Sequence, residues 1–221
     1  MIKAVVFDLD DTLYPERQFV LSGFAAVDGW LSDHHGRTAF YQTAARLFAS
    51  GRRGDIFDLA LEQLGVEREK GLVQELVRVY REHRPALEPF QDALAVLQRL
   101  RGAKKLAVIT DGYLAVQRSK MAALGIAHYF DAICYSDEGG RECWKPSAVP
   151  YRRIMDELCC AGEDCLYVAD NPSKDFITAR ALGWGTVQIR RPDGEYAQLV
   201  PAPGYQADSS ISTLYELEDL V

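Results

Sequence analysis

Apolar residues follow two different spacings along this chain, and the spacing changes twice. Ala4 to Phe7 form a short unbroken apolar run, rich in β-branched and aromatic residues, which predicts a buried strand. From about Glu16 to Arg84 apolar residues recur at helical intervals instead. The sets are Phe19, Val20, Phe24, Val27 and Leu31; Phe40, Ala44, Leu47 and Phe48; Ile56, Leu59 and Leu64; and Leu72, Leu76, Val77 and Tyr80. This spacing predicts four amphipathic helices packed on one another. Gly36, the Gly51–Gly54 turn and Gly65 divide them. Pro15 at one end, and Pro85 and Pro89 at the other, mark linkers. Residues 15–85 are therefore expected to form a helical domain inserted into a core of residues 1–14 and 86–221.

From Phe90 onward helices alternate with short apolar runs. One helix carries Leu94, Leu97 and Leu100 and stops at Gly102. Strands are expected at Leu106–Ile109, more weakly at Phe130–Tyr135, then at Leu166–Ala169 and Thr186–Ile189. Helices are expected from about Leu114 to Gly125, Val149 to Leu158 and Lys174 to Leu182, with a terminal one opened by the Thr213-x-x-Glu216 capping box. Strands that are continuously apolar, separated by helices, predict an α/β fold: a doubly wound parallel sheet covered on both faces. Ligands of such sheets bind at the carboxyl ends of the strands.

The unusual polar residues fall at those ends. Asp8, Asp10 and Asp11, with Thr12, follow the first strand. Thr110, Asp111 and Gly112 follow the second, Lys145 stands in Trp144-Lys145-Pro146, and Asp170 and Asp175 follow the fourth. Three carboxylates at the end of a buried strand repel one another and resist desolvation. They either hold a divalent cation for chemistry on a phosphate or cap a turn in solvent. The joint order of the other residues favours the first reading. Phosphoryl transfer through a carboxylate needs a nucleophile, for which Asp8 is the candidate. It needs an acid and base beside it, and Asp10, two residues on along an extended chain, is aimed the same way. The Lys145 ammonium, the Thr110 hydroxyl and the amides around Asp111 and Gly112 can hold the transferred group. Magnesium wants a few oxygen ligands, which Asp8, the Asp10 carbonyl and Asp170 can supply, with Asp175 direct or through water.

Asp8-Leu9-Asp10-Asp11-Thr12-Leu13 resembles the first motif of the haloacid dehalogenase superfamily in its phosphatase form. Thr110 falls on that family's second motif, Lys145 on its third, and Asp170 and Asp175 on its acidic fourth. The resemblance implies a Rossmann-like core with an inserted helical cap of the C1 arrangement, covering the whole chain. It implies a magnesium-dependent phosphatase working through an aspartyl phosphate on Asp8. Asp10 favours a phosphatase over the dehalogenase members, which carry Asp-x-Tyr there. Phosphomutases share Asp10 and remain an alternative, as does, in a different class, a non-catalytic phosphate-binding protein. The fourth motif often has adjacent acids or a preceding Gly, where this chain has Ala169-Asp170-Asn171. Lys174 is expected at a solvated helix start.

Composition narrows the partners. The 221 residues are 48% hydrophobic and 26% charged, ordinary for a globular protein. A net charge of −7, without a long basic run, argues against nucleic acid or an acidic membrane as main partner. No apolar stretch approaches the ~20 residues of a membrane span, and the first strand starts too early to leave room for a signal peptide. The cysteines Cys134, Cys143, Cys159, Cys160 and Cys165 lack Cys-x-x-Cys spacing and fit reduced cytoplasmic thiols better than disulfides or zinc. His34-His35 reads as an exposed helix end, Trp30 and Tyr41 as core of the helical domain, and Gly51-Arg52-Arg53-Gly54 as a solvated basic loop. A cap of this size would leave a small chamber, suited to a small phosphorylated metabolite such as a sugar phosphate or nucleoside monophosphate.

Overall fold

Ala4–Phe7 is fully buried and forms the central strand of the sheet, in a computed structural model that describes residues 1–37, 39–67 and 69–221. Six strands are found among the described residues: β1 (Ala4–Phe7), β2 (Lys105–Thr110), β3 (Ala132–Tyr135), β4 (Cys165–Ala169), β5 (Gly185–Ile189) and β6 (Ser209–Ile211). Their order is β3-β2-β1-β4-β5-β6, and every pairing is parallel. Parallel strands buried on both faces need no polar alternation, which is why β1 and β4 read as unbroken apolar runs.

The chain divides into two compact units, residues 1–16 with 87–221, and residues 17–86. The smaller unit is helical. It is built from α1 (Glu16–His35, whose first residue belongs to the larger unit), α2 (Phe40–Ala49), α3 (Ile56–Gln63) and α4 (Leu72–Glu82). Phe24, Val27, Leu31, Phe40, Ala44, Ile56, Ala60, Leu61, Leu72 and Leu76 form its core. Trp30 and Tyr41 pack against that core. Gly23 lets α1 meet α4 closely: a Cβ there would stand 2.4 Å from the Tyr80 ring. No helix among the described residues is long and apolar enough to cross a membrane.

The larger unit adds α5 (Gln91–Leu100), α6 (Leu114–Leu124), α7 (Val149–Leu158) and α8 (Phe176–Ala181). On one face of the sheet Tyr151, Tyr167 and Trp184 meet edge to face, with ring centroids 5.4, 5.5 and 6.2 Å apart. The larger unit departs from the sequence pattern in two places. A sixth strand, β6, is short and polar with only Ile211 buried, as edge strands tend to be, so periodicity does not reveal it. The terminal helix is a 3-10 helix, Leu214–Asp219, although its Thr213–Glu216 capping box forms. The connection from β3 returns past β1 to β4, so the order reverses beside β1. That switch point is where sheets of this kind leave a crevice.

Candidate active site

Phe7 of β1 is in register with Val108 of β2 and Val168 of β4, so the residues following three adjacent strands converge. The Asp8 amide donates to the Val168 carbonyl at 2.9 Å. Asp8, Asp170 and Asp175 are all buried, and each offers a carboxylate oxygen within 4.8 Å of the others. The Asp170-Asn171-Pro172 turn brings Asp175 back: the Asn171 amide donates to Asp175 Oδ2 at 3.1 Å, and the Ser173 amide donates to Asn171 Oδ1 at 2.9 Å. Lys145 joins this group from the β3–α7 connection. Its Nζ lies 2.9 Å from Asp8 Oδ1, 2.8 Å from Asp175 Oδ1 and 2.9 Å from the Tyr167 hydroxyl. Trp144 anchors the approach, donating Nε1 to Asp137 at 2.9 Å and packing edge-on to Tyr113.

Burial pushes the Asp8 carboxyl up to about 6, with Lys145 opposing and Asp175 adding to the rise. Asp170 is held well above the ordinary carboxylate range, by burial first and then by Asp8 and Asp175. Burial works against the charge on Lys145, yet Asp175 and Asp8 overcome it and hold its ammonium well above the usual range. One ammonium therefore faces three clustered acids, and the Asp170 carboxylate accepts no hydrogen bond among the described residues. Such an all-oxygen set with surplus negative charge fits a hard divalent cation such as magnesium.

Asp10 behaves differently. Its carboxylate is not part of the three-acid group but is held by Tyr14, Lys120 and Gln117. Burial would raise it; Lys120, Tyr14 and Gln117 prevail and lower it. The expectation of Asp10 as a metal ligand thus concerns its carbonyl alone. Asp11 takes the left-handed conformation at φ 49, accepting from the Glu16 amide at 2.8 Å and the Glu195 amide at 3.1 Å. It braces the loop. Thr110 is buried and its hydroxyl accepts from Gln117 Nε2 at 2.5 Å. Gly112 has φ +131, and a Cβ there would stand 3.0 Å from the Gln117 side chain, so the turn after Asp111 requires glycine.

Lys174 corrects the sequence expectation of a solvated lysine. Its Nζ lies 2.8 Å from Asp111 Oδ2, and the same carboxylate accepts from Ser136 at 2.7 Å and the Lys145 amide at 3.1 Å. Burial would raise Asp111, but Lys145, Lys174 and Ser136 hold it below the ordinary carboxylate range. The cation is drawn in because Asp111 would otherwise be a buried carboxylate short of partners.

These groups border a cleft of about 150 Å³ lined by Asp8, Asp10, Glu16, Asp111, Asp170, Asn171, Lys174 and Tyr196. Thr110, Gly112, Lys145 and Asp175 are not among its lining residues. Loss of hydration pushes the Glu16 carboxyl up to about 7, helped by Asp10, although 41% of the side chain stays open to solvent. Glu16, Gln117, Lys120 and Tyr196 escaped the sequence reading as site residues. A signal existed for two of them. Gln117 and Lys120 share the buried stripe of α6 with Val116, Met121 and Leu124, where a lysine is out of place.

The family model described as haloacid dehalogenase-like hydrolase matches residues 2–183. A glyceraldehyde 3-phosphate phosphatase of Methanopyrus kandleri is 33% identical over 211 residues, 91% of this chain and 88% of that protein. A ribulose-1,5-bisphosphate 5-phosphatase of Halopiger xanaduensis is 30% identical, covering 100% of both chains. Among solved structures, a 2-haloacid dehalogenase of Pseudomonas syringae matches with a TM-score of 0.65 and 25% identity, over 100% of this chain and 98% of that one. The strand order, the carboxylates at the strand ends and these full-length matches agree: the chain belongs to the haloacid dehalogenase-like hydrolases, as a phosphatase-like member.

Proposed function

We propose that this protein removes phosphate from a small phosphomonoester, of the sugar phosphate or nucleotide kind, through an aspartyl phosphate on Asp8. The observation that carries the reading is the division of labour between two carboxylates of one strand end. Asp8 is grouped with Lys145, Asp170 and Asp175, whereas Asp10 stands in the same cleft with its own set of donors. Burial raises Asp8, whereas Lys120, Tyr14 and Gln117 lower Asp10, so Asp10 rests ionised as the base of the pair and acts as acid only with a proton taken up with the substrate. A dehalogenation needs no such second acid, which favours the phosphatase reading despite the shared fold. The names of the two sequence relatives support a phosphorylated sugar as substrate class.

In this reading Asp8 attacks phosphorus, and Asp10 gives the proton it has taken up with the substrate to the leaving oxygen as the ester bond breaks. Asp10, then ionised, takes a proton from the water that attacks the aspartyl phosphate, and Asp8 is regenerated. Lys145 and the Thr110 hydroxyl steady the negative oxygens, with the amides around Asp111 and Gly112. Asp8, Asp170 and Asp175, with the Asp10 carbonyl, would hold magnesium. Bound there, the ion supplies positive charge that keeps Asp8 ionised and offsets the charge of the phosphoryl group. The test is phosphate release from a panel of small phosphomonoesters with magnesium, with EDTA, and with Asp8→Asn. Magnesium-dependent release that falls by roughly 10³-fold or more in the variant is expected. Release that survives Asp8→Asn would remove Asp8 as nucleophile. No release from any ester, together with no binding of beryllium fluoride, would overturn the enzyme reading.

A further inference from the structure

The Asp10 carboxylate is enclosed by side chains from two segments distant in sequence. Tyr14, on the loop after β1, donates its hydroxyl to Oδ1 at 2.5 Å. Lys120 of α6 places Nζ 2.7 Å from the same oxygen. Gln117, one turn earlier on α6, donates Nε2 to Oδ2 at 2.9 Å and also reaches the Thr110 hydroxyl. Tyr14, Gln117 and Lys120 are 0%, 1% and 4% exposed, while the Asp10 side chain is 20% open to the cleft. A buried ammonium on the apolar stripe of a helix destabilises the fold unless it is paired. Here it stands against Asp10 and, at 3.7 Å, Glu16 Oε1. Asp10 sits on a loop, where an unbraced side chain would sample several rotamers. Three donors at fixed positions on both its oxygens select one.

We propose that Lys120, together with Gln117 and Tyr14, is a positioning residue that fixes the orientation of the Asp10 carboxyl in the cleft it shares with Asp8. The proposal rests on the phosphatase reading, in which Asp10 is the acid and base. Lys120 itself transfers no proton and acts only through the Asp10 carboxyl it holds. As the bond between Asp8 and phosphorus forms and the ester bond breaks, the proton on Asp10 must be aimed at the departing oxygen. A misplacement of 1 Å can cost a factor of about 10² in such a step.

Leaving-group dependence separates positioning of an acid from general support of the fold. An alkoxide leaves poorly without a proton, whereas 4-nitrophenolate leaves readily. Lys120→Met keeps side-chain length and apolar packing. Its kcat/KM, which reports the first half-reaction, is expected to fall about 10- to 100-fold for glycerol 3-phosphate or the best alkyl ester of the panel. For 4-nitrophenyl phosphate the fall is expected to stay within about 3-fold. Tyr14→Phe, which removes one hydroxyl and little volume, is expected to show the same split if Lys120→Met does not fold. Equal losses on both esters, or none on either, in a folded variant would overturn the proposal. A crystal structure of Lys120→Met with Asp10 unmoved would overturn it as well, whether or not the enzyme is active. Inactivity of the unaltered protein on every ester would sink the phosphatase reading separately.

Discussion

Asp111 shows how far one side chain depends on its neighbours. Its carboxylate, 5% exposed, gathers Ser136, the Lys145 amide and Lys174. It therefore ties the lysine-bearing connection before α7 to the turn before α8. Lys174→Met would leave a buried carboxylate short of its cation. A loss of about 1–3 kcal/mol in urea unfolding is expected, with weaker binding of inorganic phosphate because the cleft loses a cation. Unfolding curves that superimpose would show the pair to contribute nothing. The residues that sequence patterns single out, Asp8, Asp10, Thr110, Lys145, Asp170 and Asp175, stand out because each is a polar type just after an apolar run or beside a turn. The structure brings Asp8, Lys145, Asp170 and Asp175 into direct proximity. Lys120 and Gln117 carry no such mark: they lie mid-helix, 110 and 107 positions from Asp10. Only the fold makes them neighbours.

The segment after β5 ties distant elements together. Arg191, 8% exposed, grips Asp92 of α5 through both guanidinium ends at 2.6 and 3.0 Å. It also donates to the Thr12 carbonyl at 3.1 Å and lies 3.9 Å over the Phe90 ring. Asp92 in turn accepts from the Leu214 amide at 2.8 Å, at the start of the terminal 3-10 helix. One ion pair thus connects the loop after β1 and α5 to the chain beyond β5, which lies outside the matched family region. Removing one partner strands the other: Asp92→Leu and Arg191→Met are each expected to cost about 3–5 kcal/mol. The combination Asp92→Leu with Arg191→Met should cost less than the sum, since no unpaired charge remains buried. Additive losses in urea unfolding would show that the two residues act independently. Periodicity cannot reveal this tie. Aspartate in the first turn of α5 reads as favourable local electrostatics, and the strand that follows Arg191, β6, is three residues long.

At the scale of the molecule, the alternation of helices and continuously apolar strands made the parallel α/β core legible, because strands buried on both faces leave that mark. Burial of single thiols and hydroxyls in this core also sets the response of the fold to alkali. Burial pushes the Cys165 thiol, on β4, from 9.0 to about 12 and the Cys134 thiol, on β3, to about 11. Burial likewise raises the hydroxyls of Tyr14, Tyr151 and Tyr167 well above 10.0. An unfolded chain releases these protons at their ordinary values, while the folded chain keeps them. Above pH 9 the unfolded state therefore binds fewer protons, and stability must fall as pH rises. Each thiol contributes up to about 1.4 kcal/mol per pH unit, Cys134 until about 11 and Cys165 until about 12, and the tyrosines join from pH 10. Below pH 9 their contribution is complete and flat. The measurement is the unfolding free energy in urea from pH 8 to 10.5, under reducing conditions, for the unaltered chain and for Cys134→Ala with Cys165→Ala. The double variant should start lower, because two buried groups have been truncated, yet decline less steeply between pH 9 and 10.5. Slope and height have different causes here, so the cavity left by truncation cannot imitate the predicted change in slope. Parallel curves would mean that both thiols ionise alike in the folded and unfolded chains, and that the sheet does not shield them from water.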